Sequence, residues 1–193
     1  MKVLKAVAKL FARGLFLALL LPVAALTGFG RCAWLYTIFA QACALVPGLV
    51  GDYVRIAFYK LTLRSCALSS RISFGSFFAH REAAVGGNVY VGSYCILGCC
   101  RIGDRTQIAS HVQVLSGRRQ HARDPAGQIG GGVFEPIEIG ADCWIGASSV
   151  IMATVGPGTT VGAGAVVVKE LPPGVVVVGN PAYVVREIRR ETV

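Results

Sequence analysis

Acidic residues, histidines and paired cysteines are what this chain has least of. It carries ten Asp and Glu against nineteen Lys and Arg, a formal charge of +9, and three histidines: His80, His111 and His121. So few imidazoles leave little choice of group for moving protons near neutral pH. The acidic shortage is also uneven. Residues 1–71 hold nine Lys/Arg and one acid, Asp52, whereas residues 72–193 hold ten against nine. The positive charge thus belongs to one end and not to the folded body. That distribution argues against nucleic acid as a partner and suits an anionic membrane surface. The seven cysteines are odd in number and contain no C-x-x-C pair, which argues against a disulfide framework or a zinc site. They read as small buried hydrophobes in a reducing compartment.

Uninterrupted apolar runs are short as well, although the mean hydropathy is +0.60. Met1–Arg13 places Lys2, Lys5, Lys9 and Arg13 on one helical face, which reads as a basic amphipathic helix at a membrane surface. Gly14–Gly30 is uncharged but contains Pro22, and Cys32–Gly51 is a second apolar run with Gln41 and Pro47. Spanning a bilayer takes about twenty apolar residues, so both are marginal. A shallow helical hairpin and two spanning helices stand close together as readings, with a cleaved signal peptide behind them. A buried helical cap is the plain structural alternative. Asp52–Ser70 follows as a basic-aromatic connector, with Arg55, Lys60 and Arg64 beside Tyr53, Phe58 and Tyr59 in a stripe that suits either an interface or ordinary packing.

What is abundant is a six-residue beat. Aliphatic residues fall at Val85, Val91, Leu97, Ile102, Ile108 and Val114, then at Ile139, Ile145, Ile151, Val155, Val161 and Val167. A Gly or Ala follows most of them. Six fits neither an α-helix nor a two-sided strand, but it is the signature of a parallel β-helix built from hexapeptide units. One aliphatic per unit points into a narrow prism, three units close a coil, and neighbouring coils cover each other. A β-sandwich would instead show turns every eight to twelve residues or so. The beat begins near Ile72. The one long break, Leu115–Glu138, is polar, Gly-rich and holds His121; a loop of that length in a compact repeat usually has a task.

The segment Ile139–Ile188, with DCWIG, VGAGAVV and GNPA, closely resembles the C-terminal half of hexapeptide-repeat O-acetyltransferases. These include the maltose and galactoside enzymes and the O-acetyltransferases of bacterial surface polysaccharides. The resemblance implies a mainly β protein, a left-handed parallel β-helix, to which the composition of residues 1–71 adds an N-terminal apolar, membrane-associated helical arm. It implies a homotrimer, acetyl-CoA as cosubstrate in the cleft between subunits, no metal, and a carbohydrate acceptor. The division expected is 1–71 for the arm and connector, 72–181 for the β-helix with its extended loop 115–138, and 182–193 for a short C-terminal helix. Placement at the cytoplasmic face of the bacterial inner membrane follows from the arm and from where acetyl-CoA is found.

Acetyl transfer to a hydroxyl needs a base, donors for the oxyanion and a hold on CoA. His121, in S-G-R-R-Q-H, resembles the family's loop motif and is the expected base. Asp124, Glu135 or a backbone carbonyl could orient its ring, and Glu135 is preferred because it stands where the loop returns to the coil. His111, inside a repeat unit, and Arg119 are the expected acceptor contacts. His80 reads as structural or near the membrane. By resemblance Trp144 and Ala147 line the thioester end of CoA and Ala163 touches the pantetheine arm. Lys169, Asn180 and Arg186 lie near the adenine and 3′-phosphate, where a cation has an evident role. Ala147 stands where the galactoside branch has Ser, and Tyr183 where it has Arg. A γ-type carbonic anhydrase on the same fold needs three His around one metal, two of them as H-x₄-H, and no pair here has that spacing. A nucleotidyltransferase would need a nucleotide-binding domain ahead of the coil. A non-catalytic, membrane-recruited scaffold is the alternative from another class.

Overall fold

The computed structural model describes the backbone of residues 2–116, 121–123, 127–132 and 134–188, with side chains throughout except at 2–6, 121–123, 129, 131 and 132. Three helices come first: α1 (Lys2–Leu26), α2 (Ala33–Ala44) and α3 (Gly48–Thr62). α1 runs unbroken through Pro22, so the basic start and the first apolar run are a single helix. It stops where Thr27 Oγ1 donates to the Ala24 carbonyl at 2.7 Å and accepts the Gly30 amide at 3.1 Å. Among the described residues, Val7–Leu26 is the one helical stretch long and apolar enough to cross a membrane.

The second apolar run departs from the expectation of a matching span. α2 has 12 residues and buries Tyr36, Ala40, Cys43 and Ala44, and the Tyr36 hydroxyl donates to the Phe78 carbonyl of the coil at 2.9 Å. Pro47 lacks an amide proton and ends the run's helical continuity. α2 and α3 therefore form a cap on the start of the coil. Part of the connector stripe is packing too: Arg55, Phe58 and Tyr59 are fully buried, whereas Tyr53 is half-buried and Lys60 and Arg64 are exposed. Arg55 donates from Nε to the Ile72 carbonyl (2.7 Å), from Nη1 to the Val46 carbonyl (2.7 Å) and from Nη2 to Asp52 Oδ1 (2.8 Å). It also reaches the carbonyls of Cys43 and Ala44, where a cation offsets the negative end of α2. A buried guanidinium is tolerated only with its donors satisfied in this way.

The coil begins with β1 (Ser65–Cys66), β2 (Arg71–Ile72) and β3 (Phe77–Phe78), seven residues ahead of the expected start. The second turn is β4 (Ala84–Val85), β5 (Tyr90–Val91) and β6 (Ile96–Leu97). The third is β7 (Cys100–Ile102), β8 (Gln107–Ile108) and β9 (Gln113–Val114). The long loop carries β10 (His121–Arg123) and β11 (Ile129–Gly132), a small antiparallel ribbon. The coil then resumes with β12 (Ile137–Ile139), β13 (Trp144–Ile145) and β14 (Val150–Ile151), followed by β15 (Thr160–Val161), β16 (Val166–Val167) and β17 (Val175–Val178). These strands stack in register into three parallel faces: β1-β4-β7-β12, β2-β5-β8-β13-β15-β17 and β3-β6-β9-β14-β16. The result is a parallel β-solenoid of about 5 turns. All twelve aliphatics of the beat are buried, each contributing on the order of 1.5–3 kcal/mol.

The glycine after each aliphatic has a steric reason. A Cβ on Gly103 would stand 2.4 Å from the Ala141 nitrogen, and one on Gly140 2.4 Å from the Pro157 nitrogen. The bend itself comes two residues later, at Asn88, Tyr94, Arg105, His111, Asp142 and Ser148, whose φ values lie between 56 and 61°. Small residues thus admit the next coil, and their left-handed neighbours turn the chain.

The C-terminal helix expected over 182–193 is not found where the chain is described. Tyr183–Glu187 is β18, which pairs antiparallel with β17. The Tyr-Val-Val sequence favours a strand, and the last coil leaves an unpaired edge for it to join. Residues 189–193 lie outside the described part.

Candidate active site

Departures from the six-residue beat gather at one corner of the prism. Along the chain, the steps from the third face back to the first are Phe78 to Val85, Leu97 to Ile102, Val114 to Ile139, Ile151 to Val155 and Val167 to Leu171. None is six. Every interior step at the other two corners is six. The irregular corner therefore carries His80, Arg81 and Glu82 in its seven-residue step, both stems of the long loop, and Lys169 in a step of four.

A cavity of about 470 Å³ opens at this corner, between the coil, the α1–α2 turn and the returning loop. Arg31 and Tyr36 line it from the helices, His80 and Arg81 from the coil, and Phe134 from the loop. The His80 and Phe134 rings meet with centroids 4.4 Å apart. Arg81 Nε is buried and has no hydrogen-bond partner among the described residues, so it can serve an incoming oxygen at little desolvation cost. Burial pushes the Tyr36 phenol well above its ordinary value, which keeps its proton on oxygen as a donor. Cys99 also lines the cavity, and burial raises its thiol as well. A raised thiol is mostly protonated at neutral pH and makes a poor nucleophile.

The expected site residues divide. His121 sits in β10 with Gly132 opposite it, and its side chain lies outside the described residues, as does the whole of Arg119. Glu135 is exposed at the loop's return, and its amide donates to the Ser116 carbonyl at 3.0 Å. It adjoins Phe134 and hence the cavity. His111 is elsewhere: it is the left-handed residue at a regular corner, exposed and stacked on Tyr94 at 5.4 Å. The chain does not bring it to the loop. The residues that sequence reading passed over are Arg31, Tyr36, Arg81 and Phe134, along with the site role of His80. The signal for the coil members was the seven-residue step from Phe78 to Val85.

The residues expected to hold CoA fall on separate surfaces of one chain. Ala147 and Ala163 stack on adjacent coils at a regular corner, where the Gly164 amide donates to the Ala147 carbonyl at 2.8 Å. Both are exposed, and neither of their own amides donates to another group among the described residues. Small side chains and two adjacent free N–H groups suit an extended amide-bearing ligand. Trp144 is half exposed on β13, between Gln107 and Thr160. Lys169 is exposed at the irregular corner, Asn180 in the turn before β18, and Arg186 on β18 opposite Val176. Among the described residues no group of three His, Cys, Asp or Glu is placed to hold a metal ion.

No protein-family model and no curated protein sequence matches the chain. Solved structures do. A maltose O-acetyltransferase from Clostridium difficile is similar at 23% identity and TM-score 0.64, over 86% of this chain and 89% of its own. A hexapeptide-repeat-containing acetyltransferase from Vibrio cholerae is similar at 19% identity and TM-score 0.63, over 86% and 94%. An N-acyltransferase from Bacillus cereus, solved with dTDP-4-amino-4,6-dideoxyglucose and coenzyme A, gives 21% identity and TM-score 0.52 over 63% and 71%. Shares of 86% exceed what the coil alone supplies, so these two likenesses extend into the helices. At such identities the likeness establishes the fold.

Proposed function

We propose that this chain is an acyltransferase that moves acetyl from acetyl-CoA to a hydroxyl of a carbohydrate. The observation that carries the reading is the concentration of polar groups at one corner: both stems of the His121 loop and the cavity with its unpartnered Arg81 Nε lie together there. Similarity of fold to sugar-acting and CoA-bound transferases supports the same class of chemistry.

Acetyl-CoA supplies a thioester carbonyl carbon. His121 as a neutral imidazole takes the acceptor's hydroxyl proton as its oxygen bonds to that carbon. The carbon–sulfur bond breaks, and the proton passes to the leaving sulfur. Nothing in this sequence needs a covalent enzyme intermediate, in keeping with the protonated Cys99. Such base catalysis contributes about 10²–10⁴-fold. Glu135 orients the imidazole, and Arg31, Arg81 and the Tyr36 hydroxyl hold the acceptor's oxygens while Phe134 packs on its ring. The exposed amides of Ala147 and Ala163 receive the pantetheine arm, Trp144 flanks the thioester end, and Lys169, Asn180 and Arg186 meet the nucleotide phosphates. These groups lie on different surfaces of one chain, so a homotrimer that lays one coil beside the next is the assembly that closes the site.

The arm supports a membrane as the setting for this chemistry. α1 packs along α3, with Phe16 stacked on Tyr53 at 5.5 Å, and its other face is apolar and exposed. That contact favours a helix lying in the interface over one crossing it. A lipid-linked sugar at the cytoplasmic face of the inner membrane is the acceptor that fits this placement.

The test is free thiol release from acetyl-CoA in detergent, with sugar and lipid-linked sugar acceptors, comparing the wild type with His121→Ala. Acceptor-dependent release that collapses in the variant while CoA still binds is the expected result. Unchanged release in the variant would move the base to another imidazole. Failure to bind CoA would sink the enzyme reading and leave a membrane scaffold in its place.

A further inference from the structure

One cavity is not used by acyl transfer. It holds about 240 Å³ at the junction of α1, the start of α3 and the first turn of the coil, with Lys9, Arg13, Asp52, Ser69 and Arg71 in its wall. Its charge is unbalanced. Asp52 Oδ1 pairs with Arg55 at 2.8 Å and Oδ2 with Arg71 at 2.8 Å, so the only carboxylate in residues 1–71 is already shared by two arginines. Lys9 and Arg13 form no ion pair among the described residues. Ser69 Oγ accepts the Asn88 amide at 3.0 Å and donates to no described group. Cations converging on a concavity without matching counter-charge suit a compact anion, and guanidinium forks beside an ammonium suit phosphate oxygens.

The rim gives the anion its character. Leu49 lines the cavity and is 69% exposed, and α1, which supplies Lys9 and Arg13 to the wall, carries Leu10, Phe11, Leu15 and Leu19, all exposed. A free ion gains nothing from such a border, but a phosphate bearing acyl chains does. We propose that this cavity binds the phosphate ester of an anionic lipid headgroup whose chains lie along the outer face of α1. The proposal rests on the interfacial reading of the arm and adds a discrete site to it.

The experiment is flotation of the full chain with vesicles of phosphatidylcholine, alone or mixed with phosphatidylglycerol. Lys9→Ala/Arg13→Ala is compared with Lys60→Ala/Arg64→Ala, which removes the same charge from exposed positions of the same arm that do not line the cavity. Diffuse attraction to an anionic surface weakens equally in both variants. A bound phosphate makes the first variant lose at least about tenfold more partitioning than the second, since it loses charge-assisted hydrogen bonds. Equal losses overturn the site. Thermal unfolding in detergent with inorganic phosphate is the second arm. A midpoint rise in wild type that vanishes in Lys9→Ala/Arg13→Ala, without any preference for anionic vesicles, overturns the lipid source in favour of a soluble phosphate. If the wild type floats with neither vesicle, the interfacial reading of the arm fails. The phosphate arm then decides the cavity alone: stabilisation supports a phosphate site, and its absence overturns one.

Discussion

Two corners of the prism keep the six-residue step at every turn, and the third never does. The difference lies in how each coil meets the next. At the regular corners backbone packs on backbone, as where Gly140 lies under Pro157 and Gly103 under Ala141, so an inserted residue would push a whole coil out of register. At the third corner the connection varies instead: steps of 4 and 5 residues cut it short, steps of 7 and 25 lengthen it, and all return to the same interior. Rigidity and chemistry are thereby separated within each turn.

Substitutions at the two kinds of corner should then do different things. The largest effect is expected from His121→Ala in the long loop: acyl transfer falls by about 10²–10⁴-fold while the urea unfolding midpoint stays unchanged. A shift in that midpoint would mean that the loop is structural. Gly140→Val at a regular corner should do the reverse. Overpacking typically costs about 1–3 kcal/mol, and the backbone atoms it meets have little room to yield, so the unfolding free energy from urea titration should drop by at least that amount. Arg81→Gln at the irregular corner should raise the acceptor's KM by about tenfold, the worth of one charge-assisted hydrogen bond, with kcat and stability nearly unaltered.

A pH series tests whether the irregularity reaches the core. Each corner has a buried thiol behind it: Cys143, Cys95 and, at the irregular corner, Cys100. Burial pushes all three above the ordinary value of 9.0. A raised acid favours its neutral form in the folded chain, so this stability is intact below the ordinary value and is lost as pH climbs above it. Urea unfolding should accordingly be flat up to about pH 9 and fall beyond it, with Cys100→Ala easing the fall as much as Cys95→Ala. No easing from Cys100→Ala would mean that water enters behind the third corner. The smallest effect is expected at Ser148, left-handed with φ 58°. Ser148→Gly relieves a strain of about 1–2 kcal/mol but loosens the unfolded chain, and the unfolding free energy should move by less than about 1 kcal/mol in either direction.

The coil was legible because a prism interior repeats. Val85 through Val167 each meet the same requirement, and a period survives in the sequence even where two steps break it. The loop was legible as an interruption of that period. The helices were harder. Arg55, Phe58 and Tyr59 have the composition of a membrane-interface stripe, and only the carbonyls that Arg55 reaches, on α2 and on Ile72, show the stripe to be core. The cavity beside the loop was illegible for a related reason. Arg31 and Tyr36 come to His80 and Arg81 across some fifty residues of chain, and no local pattern encodes that meeting. The C-terminal strand escaped because its partner is the exposed edge of β17, a tertiary feature that no local pattern encodes.

That last strand has a further consequence. A stack of parallel strands is extendable at both ends, and one coil could in principle seat on another chain's first turn without limit. Here the helical cap covers the beginning, and β18 runs back against the grain at the finish, with Arg186 and Glu187 on its exposed surface. On the face that β17 and β18 close, an incoming copy in parallel register finds no matching edge, which disfavours end-to-end growth there.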